Sequence, residues 1–317
     1  MKRLLLIGTL PSPIGGVTIH TKRLIDYLKN ENISFSFYDY KRQGWLTGLR
    51  LFFKSQIIHL HSSSPYLRFM TSFIGFFLNK TLIITYHGNL LRFSKVGNLF
   101  DLLSVFFSNI PIVLNKSSLE VAKKYNQKSI LLSAFIIPSK TKKLPISIYR
   151  KINKLKERHY LFCTNAFDVS FDKNGNEIYG IIPLLKKFSI QDKLSLIISD
   201  PSGNYQKFIK EKKIRINNNI LFISQPHDFF EVLKLSDAFI RNTTTDGDSL
   251  SINEALYLNK TVFATDIVSR PNGCVKYTDI DSLDFLKNLN SYSTSSNKNQ
   301  YVYNTVNNLI KIYKKYE

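Results

Sequence analysis

The stretch Ser236 to Gly273, SDAFIRNTTTDGDSLSINEALYLNKTVFATDIVSRPNG, is compatible with few folds. Its apolar run at Ala238, Phe239 and Ile240 is short and bounded by polar residues, as a buried strand requires. A polar loop with a glycine, Arg241 to Ser249, leads into a helix over Ser251 to Leu258, and a second apolar run follows at Thr261 to Ala264. Strand, crossover helix and strand in that order build a parallel sheet, because parallel neighbours cannot be joined by a tight turn. Such sheets take their ligands beyond the carboxyl ends of the strands. The polar loop therefore stands where a ligand would sit.

Within it, Asp246 and Glu254 lie eight residues apart, one in the loop and one inside the helix. Gly247 permits a tight turn, and Ser249 and Ser251 can cap a helix whose first amides and positive dipole end attract a phosphate. An anion socket beside two carboxylates able to accept from hydroxyls suits a nucleotide sugar. On these residues the stretch resembles the donor-binding segment of retaining glycosyltransferases of family 4, which have the two-domain GT-B architecture. Their two glutamates separated by seven residues correspond here to Asp246 and Glu254, with Ser249 where a glycine is usual, and Arg270, Pro271 and Gly273 follow. The resemblance implies that Asp246 faces the transferred sugar and Glu254 the nucleotide ribose. The competing reading is an ordinary crossover helix with a solvated acidic cap.

At 317 residues the chain is long enough for two domains, and 44% hydrophobic with 13% aromatic content excludes a disordered polymer. Cys163 and Cys274, the two cysteines, form neither a disulfide framework nor a metal spacing, which fits a reducing cytoplasm. Forty-four Lys and Arg against 23 Asp and Glu leave a charge of +21, an excess that seeks an anionic partner: nucleic acid, a membrane surface or a phosphate-rich substrate. The start, MKRLLLIGTLPSP, reads as a buried strand rather than a signal peptide. Tyr66 to Leu78, the longest apolar stretch, carries Arg68 and falls short of the ~20 residues that span a bilayer.

Strands alternate with helices through both halves, so the expected fold is α/β, with two Rossmann-like domains facing each other across a cleft. The expected domains are 1–145 (acceptor-binding), 146–300 (nucleotide-sugar-binding) and a helix, 301–317, returning to the first domain. After the first strand, Gly15 and Gly16 open an amphipathic helix; the dinucleotide fingerprint G-x-G-x-x-G is absent. A strand at Ile57 to Leu60 sends His59 and His61 to one face. A further strand ends at His87-Gly88. The resemblance implies that Gly15 and Gly16 lie against the donor diphosphate and that His87 contacts the donor sugar. His61 is a candidate contact for the acceptor. A zinc site at His59, His61 and His87 is disfavoured, since no acid or thiol lies near them in sequence.

Pro138 to Arg158, rich in lysine and arginine, reads as an interdomain connection leading into a basic helix. In the second half the loop TNAFDVSFDKNGNEIYG precedes a helix over Ile181 to Phe188. The family commonly places an arginine and a lysine-glycine pair here to hold the donor phosphates. Lys173 and Tyr179-Gly180 occupy those positions, or in an alternative register Lys173 stands at the lysine itself; either way one cation is left, and phosphate binding leans on Lys173, Arg241, Arg270 and the amides of Gly247 to Leu250. Ile280 to Leu289 is predicted helical, Asn290 to Gln300 a linker and Val302 to Tyr316 the terminal helix.

Asp246-Gly247-Asp248 also matches the acidic triplet that holds a divalent cation in single-domain glycosyltransferases, but it comes late in the chain and directly before Glu254; no metal or other cofactor is expected. The resemblance thus implies a cytoplasmic enzyme that moves a sugar, with retention, from a nucleoside diphosphate to an acceptor hydroxyl. Aromatic and basic residues of the first half, Trp45, Phe52, Phe53, Phe69, Phe73, Phe76 and Phe77 among them, suit an anionic membrane surface at the inner face of the cell membrane. A lipid-linked glycan of bacterial capsule or O-antigen synthesis is then the natural acceptor. The same chain could instead be a nucleotide-sugar 2-epimerase of the same architecture. It could also be a basic nucleic-acid-binding protein, though it has no motif of that class.

Overall fold

The computed structural model describes residues 3–172, 174–294 and 304–316. The chain divides into two compact units, Met1–Ser139 with Val302–Glu317, and Lys140–Tyr301. Each contains a six-stranded, wholly parallel sheet with alternating helices, the expected Rossmann-like pattern.

In the first unit the strands are β1 (Leu4–Gly8), β2 (Phe35–Asp39), β3 (Ile57–Ser62), β4 (Thr81–Tyr86), β5 (Ile110–Val113) and β6 (Ile130–Leu131). They lie in the order β2-β1-β3-β4-β5-β6, so the direction of winding reverses beside β1. The helices are α1 (Gly16–Asn30), α2 (Trp45–Lys54), α3 (Pro65–Phe77), α4 (Lys95–Phe107) and α5 (Lys116–Tyr125). Alternate side chains of β1 divide the core in two. Leu4 and Leu6 pack with Leu24 and Leu28 of α1, whereas Leu5 and Ile7 pack in the layer that holds Phe52, Val105 and Ala122 of α2, α4 and α5. Strands buried on both faces explain the uninterrupted apolar runs of the sequence. The terminal helix α12 (Thr305–Tyr316) inserts Val306, Leu309 and Tyr313 into the α1 layer.

The second unit contains α6 (Ile146–Lys156), β7 (Tyr160–Asn165), α7 (Ile181–Ser189), β8 (Leu194–Ser199), α8 (Asn204–Glu211), β9 (Ile220–Ile223) and α9 (Phe229–Leu235). It continues with β10 (Ala238–Arg241), α10 (Leu250–Tyr257), β11 (Thr261–Thr265), β12 (Cys274–Tyr277) and α11 (Phe285–Thr294). The sheet order β12-β11-β10-β7-β8-β9 places its switch point between β7 and β10. The loops after those two strands therefore flank the crevice where doubly wound sheets take ligands. Leu144 packs against this unit's core, so the unit begins ahead of α6.

One helix was not anticipated, and two local expectations differ from what is observed. Helix α4 is present although the polar start of 88–98 hid it; Ser94 caps it by accepting from Gly97 N. The helix expected from Ile280 starts at Phe285, because Asp279 accepts from Asp281 N at 3.0 Å and from Ser282 Oγ at 2.9 Å and holds that segment in a turn. Asp284 then accepts from Lys287 N at 3.0 Å, and α11 runs to Thr294 through part of the expected linker; 295–300 lie outside the described residues. Phe52, placed by sequence on an exposed face, is buried.

Candidate active site

The carboxyl end of β10 delivers Arg241 to the switch point of the second unit. Its guanidinium grips Asp246 in two places, Nε to Oδ2 at 2.8 Å and Nη2 to Oδ1 at 3.1 Å. Arg270, from the turn after β11, donates Nη1 to the same Oδ2 at 2.8 Å. It also donates Nε to the Thr265 carbonyl at 2.8 Å and Nη2 to the hydroxyls of Thr243 and Thr265, each at 3.0 Å. With its side chain 1% exposed and these acceptors engaged, Arg270 braces the Asp246 loop. Burial works against the charge on Asp246, but the two guanidiniums outweigh it and hold the carboxyl below the usual range. For Arg241, burial is likewise opposed by the Asp246 charge, and the net shift is upward. Two cations on one anion leave this cluster with a positive excess facing the loop that ends at Ser249.

Ser249 caps α10, its Oγ accepting from Ile252 N. One turn further, Glu254 is buried within the helix. Asp248 accepts from Asn253 Nδ2 at 2.7 Å, which ties the loop to the helix it feeds. The loop after β7 comes to the same end of the sheet: Arg241 Nη1 donates to the Asn165 carbonyl at 3.3 Å and lies against the Tyr179 ring. Gly180 caps α7 with φ of 56°, and an added Cβ would stand 2.4 Å from the Asn242 carbonyl oxygen, so the turn admits only glycine.

Glu177 is the residue that sequence reasoning missed. Its carboxylate accepts from Ile181 N at 2.8 Å and Ile182 N at 3.0 Å. An internal anion thus sits on the amides of α7, a helix start that the Tyr179-Gly180 position would otherwise offer to a phosphate. The signal was present as an acid four residues before Ile181. Lys173 lies outside the described residues. Among the groups expected to hold phosphate, Arg241, Arg270 and the Gly247–Leu250 segment are brought together at the end of β10.

The acidic triplet can also be tested against a divalent cation. Both oxygens of Asp246 accept from guanidiniums, and one of Asp248 accepts from the Asn253 amide.

In the first unit, a group of imidazoles gathers where β3 and β4 end. His59 and His61 point to one face of β3, as the alternation predicts. His61 is fully buried and its Nδ1 lies 3.1 Å from Nε2 of His87, which is half-buried at the end of β4. His61 thus presents no surface of its own, and its Nδ1 is turned to the half-buried His87. His59 is occupied on both nitrogens, by the Tyr313 hydroxyl at 2.6 Å and the Thr85 hydroxyl at 2.8 Å. The weighed zinc trio consequently loses His59, and His20 of α1 takes its place: one nitrogen from each of His20, His61 and His87 lies within 4.8 Å of the others. His20 Nδ1 donates to the Ala134 carbonyl at 2.7 Å, so its buried Nε2 carries the lone pair. Burial holds His20 at about 4 and His59 at about 3, and pushes His61 and His87 well down as well, so the group is neutral at pH 7. Neutral imidazoles can ligate a metal, and among the described residues this group consists of the three histidines alone. Gly15 caps α1, and a Cβ on Gly16 would meet nothing within 4 Å, which leaves the start of α1 open to a close approach.

The thiols are placed for packing. Burial raises Cys163 to about 12 and Cys274 to about 11, far from a reactive thiolate.

No family model matches the sequence, and no curated protein matches it. Solved structures do resemble it in fold. HepE of Anabaena in complex with UDP-glucose superposes with a TM-score of 0.64 at 13% identity, covering 100% of this chain and 98% of its own. WaaG, a glycosyltransferase involved in lipopolysaccharide biosynthesis, gives 0.62 at 13% over 98% of this chain and 99% of its own. The UDP-GlcNAc 2-epimerase from Methanocaldococcus jannaschii gives 0.59 at 12% over 99% and 100%. Identities this low establish architecture alone: the chain has the two Rossmann-like domains that these proteins share.

Proposed function

We propose that this protein is a retaining glycosyltransferase of the family 4 type, moving a sugar from a nucleoside diphosphate donor to an acceptor hydroxyl. The observation that carries the reading is the pairing of Asp246 with Glu254 at the switch point of the second sheet, the first held by Arg241 and Arg270 and the second buried in α10. Fold likeness to HepE bound to UDP-glucose and to WaaG supports a nucleotide-sugar donor.

The chemistry is mainly electrostatic: a diphosphate must leave while positive charge grows on the sugar. The amides of Gly247 to Leu250 and the positive excess around Arg241 take the departing phosphate charge. Lys173 is a further cation for it. Glu254 accepts from the ribose hydroxyls. Asp246, its oxygens fixed by the two arginines, orients the transferred sugar. In this reading no metal takes part, because the positive charge a cation would supply comes from the arginines.

The acceptor is a lipid-linked glycan of bacterial surface polysaccharide, capsule or O-antigen, reached by a cytoplasmic enzyme peripheral to the inner face of the cell membrane. No helix is long and apolar enough to cross a membrane among the described residues. The exposed aromatic face of α2 to α4 supports attachment from one side.

A second reading, a nucleotide-sugar 2-epimerase, is favoured by the fold likeness to such an enzyme. One experiment separates them. The protein is incubated with a panel of nucleoside diphosphate sugars, with and without acceptor lipid. Transfer that depends on acceptor supports the transferase, and turnover of the free donor to its epimer supports the rival. Binding of nucleic acid without any donor turnover would defeat both.

A further inference from the structure

The helices α3 and α4 are turned inside out. Facing the protein from α3 are Arg68, Thr71, Ser72 and the bare Gly75; from α4 they include Gly97, Asp101 and Ser104. Facing outward are Tyr66, Phe73, Phe76 and Phe77 of α3 with Leu99 and Phe106 of α4. A surface helix of a domain bathed in water places its apolar stripe inward. Here the inward layer is held by a salt bridge, Arg68 Nη2 to an Asp101 oxygen at 2.5 Å with both side chains at most 2% exposed, and Arg68 also donates to the Ser62 carbonyl at 3.0 Å.

The outward rings form one continuous array. Phe73 stands 4.9 Å from Phe77, Phe76 lies 5.3 Å from Phe107, and Phe107 lies 5.2 Å from Phe106. Helix α2 belongs to the same layer, and Lys80 Nζ, after α3, donates to the Phe53 carbonyl at 3.0 Å, fastening the ends of the two helices. Trp45, the sole tryptophan of the chain, is 69% exposed on α2. Contiguous apolar surface of this kind marks an interaction site.

Its charge indicates the occupant. Residues 41–107 contain eight lysines and arginines and a single acid, Asp101, which is buried. Exposed Lys41, Arg42, Arg50, Lys54 and Lys95 lie on α2, at the start of α4 or on the approach to α2. Aromatic side chains within a basic setting match an anionic leaflet, where rings enter the acyl boundary and cations meet headgroups. A second copy of this chain would instead bring an equally basic face.

We propose that the outer face of α2, α3 and α4 inserts its aromatic side chains into an anionic lipid surface. This deepens the reading under Proposed function, from which it takes its purpose, bringing the site to a lipid-linked acceptor, but the insertion itself rests on the helix pair alone.

Flotation with phosphatidylcholine vesicles, with and without phosphatidylglycerol, tests it on the full chain. The expected result is capture by the phosphatidylglycerol vesicles, a blue shift of Trp45 emission on capture, and residual binding in high salt. Phe76→Ser with Phe77→Ser is expected to weaken capture by roughly tenfold per ring removed, while thermal melting and the shift produced by UDP stay as in the parent. Absence of capture by the parent chain overturns the proposal. So does equal capture of parent and variant, or a parent dimer that the variant converts to monomer without vesicle binding. Capture without any nucleotide-induced shift would sink the transferase reading and leave the docking surface standing; the reverse pattern would sink the docking surface alone.

Discussion

Arg270 Nη1 and Arg241 Nε meet on a single oxygen of Asp246, Oδ2, each at 2.8 Å. One carboxylate in the β10 loop is therefore pinned by a strand end on one side and by the turn after β11 on the other, and its position cannot drift without breaking both.

Asp246→Asn removes the charge and leaves two buried guanidiniums facing each other. Breaking a buried pair in this way costs about 3–5 kcal/mol, and urea unfolding followed in the second unit should show a loss of that order. Burial opposes and the arginines impose the low carboxyl pKa of Asp246, so its stabilisation is present above about pH 4 and disappears as pH falls through the lower folded value. A variant as stable as the parent would show that the arginines repack.

The histidines of the first unit lose stability in the same direction, toward acid, but over a higher range of pH. His20 and His59 titrate near 4 and 3 in the folded chain, and His61 and His87 are also lowered, all chiefly by burial. An unfolded chain binds these protons near pH 6.5, the folded one does not, so stability is complete above about 6.5 and falls as pH drops toward 4. Each histidine contributes about 1.4 kcal/mol per pH unit across that interval. Urea midpoints measured from pH 7 to pH 4 should decline steeply, and less steeply in His20→Asn.

Glu254→Ala should keep the fold but lose selective stabilisation by one nucleoside diphosphate in thermal melts. With a hydrogen bond to a charged acceptor removed, affinity should fall by about tenfold or more. Equal shifts in parent and variant would count against a ribose contact at this residue.

Gly180→Ala places a Cβ 2.4 Å from the Asn242 carbonyl at a φ of 56°. The strain and clash together should cost about 1–3 kcal/mol. Gly175, at φ of 80° with nothing within 4 Å, provides the control: its alanine variant bears the backbone strain without the clash and should lose less.

Strand and helix order was legible because strands buried on both faces must be written as unbroken apolar runs. Strands β10 and β11 stand where the apolar runs at Ala238 to Ile240 and Thr261 to Ala264 put them. Helix α4 was not legible, whereas α3 was, with Phe73, Phe76 and Phe77 read as candidates for a surface and found exposed, but the burial of Arg68 against Asp101 was not. A pattern that buries Arg68 and exposes Phe76 inverts the rule by which a core face is recognised.

In the candidate site, Asp246, Gly247, Ser249 and Glu254 could be picked from local spacing because loop and helix are contiguous in the chain. Sequence alone thus determined the parallel α/β class, the alternation of elements and the ligand-facing loop after β10, since each depends on neighbours within one turn or one strand. Tertiary structure decided that Arg270 braces Asp246, that Glu177 occupies the start of α7, that His20 rather than His59 joins His61 and His87, and that Arg68 is buried against Asp101. Those pairings join residues 4 to 67 positions apart or depend on which face a helix presents to the sheet. Burial and charge balance select them only once the chain has closed on itself.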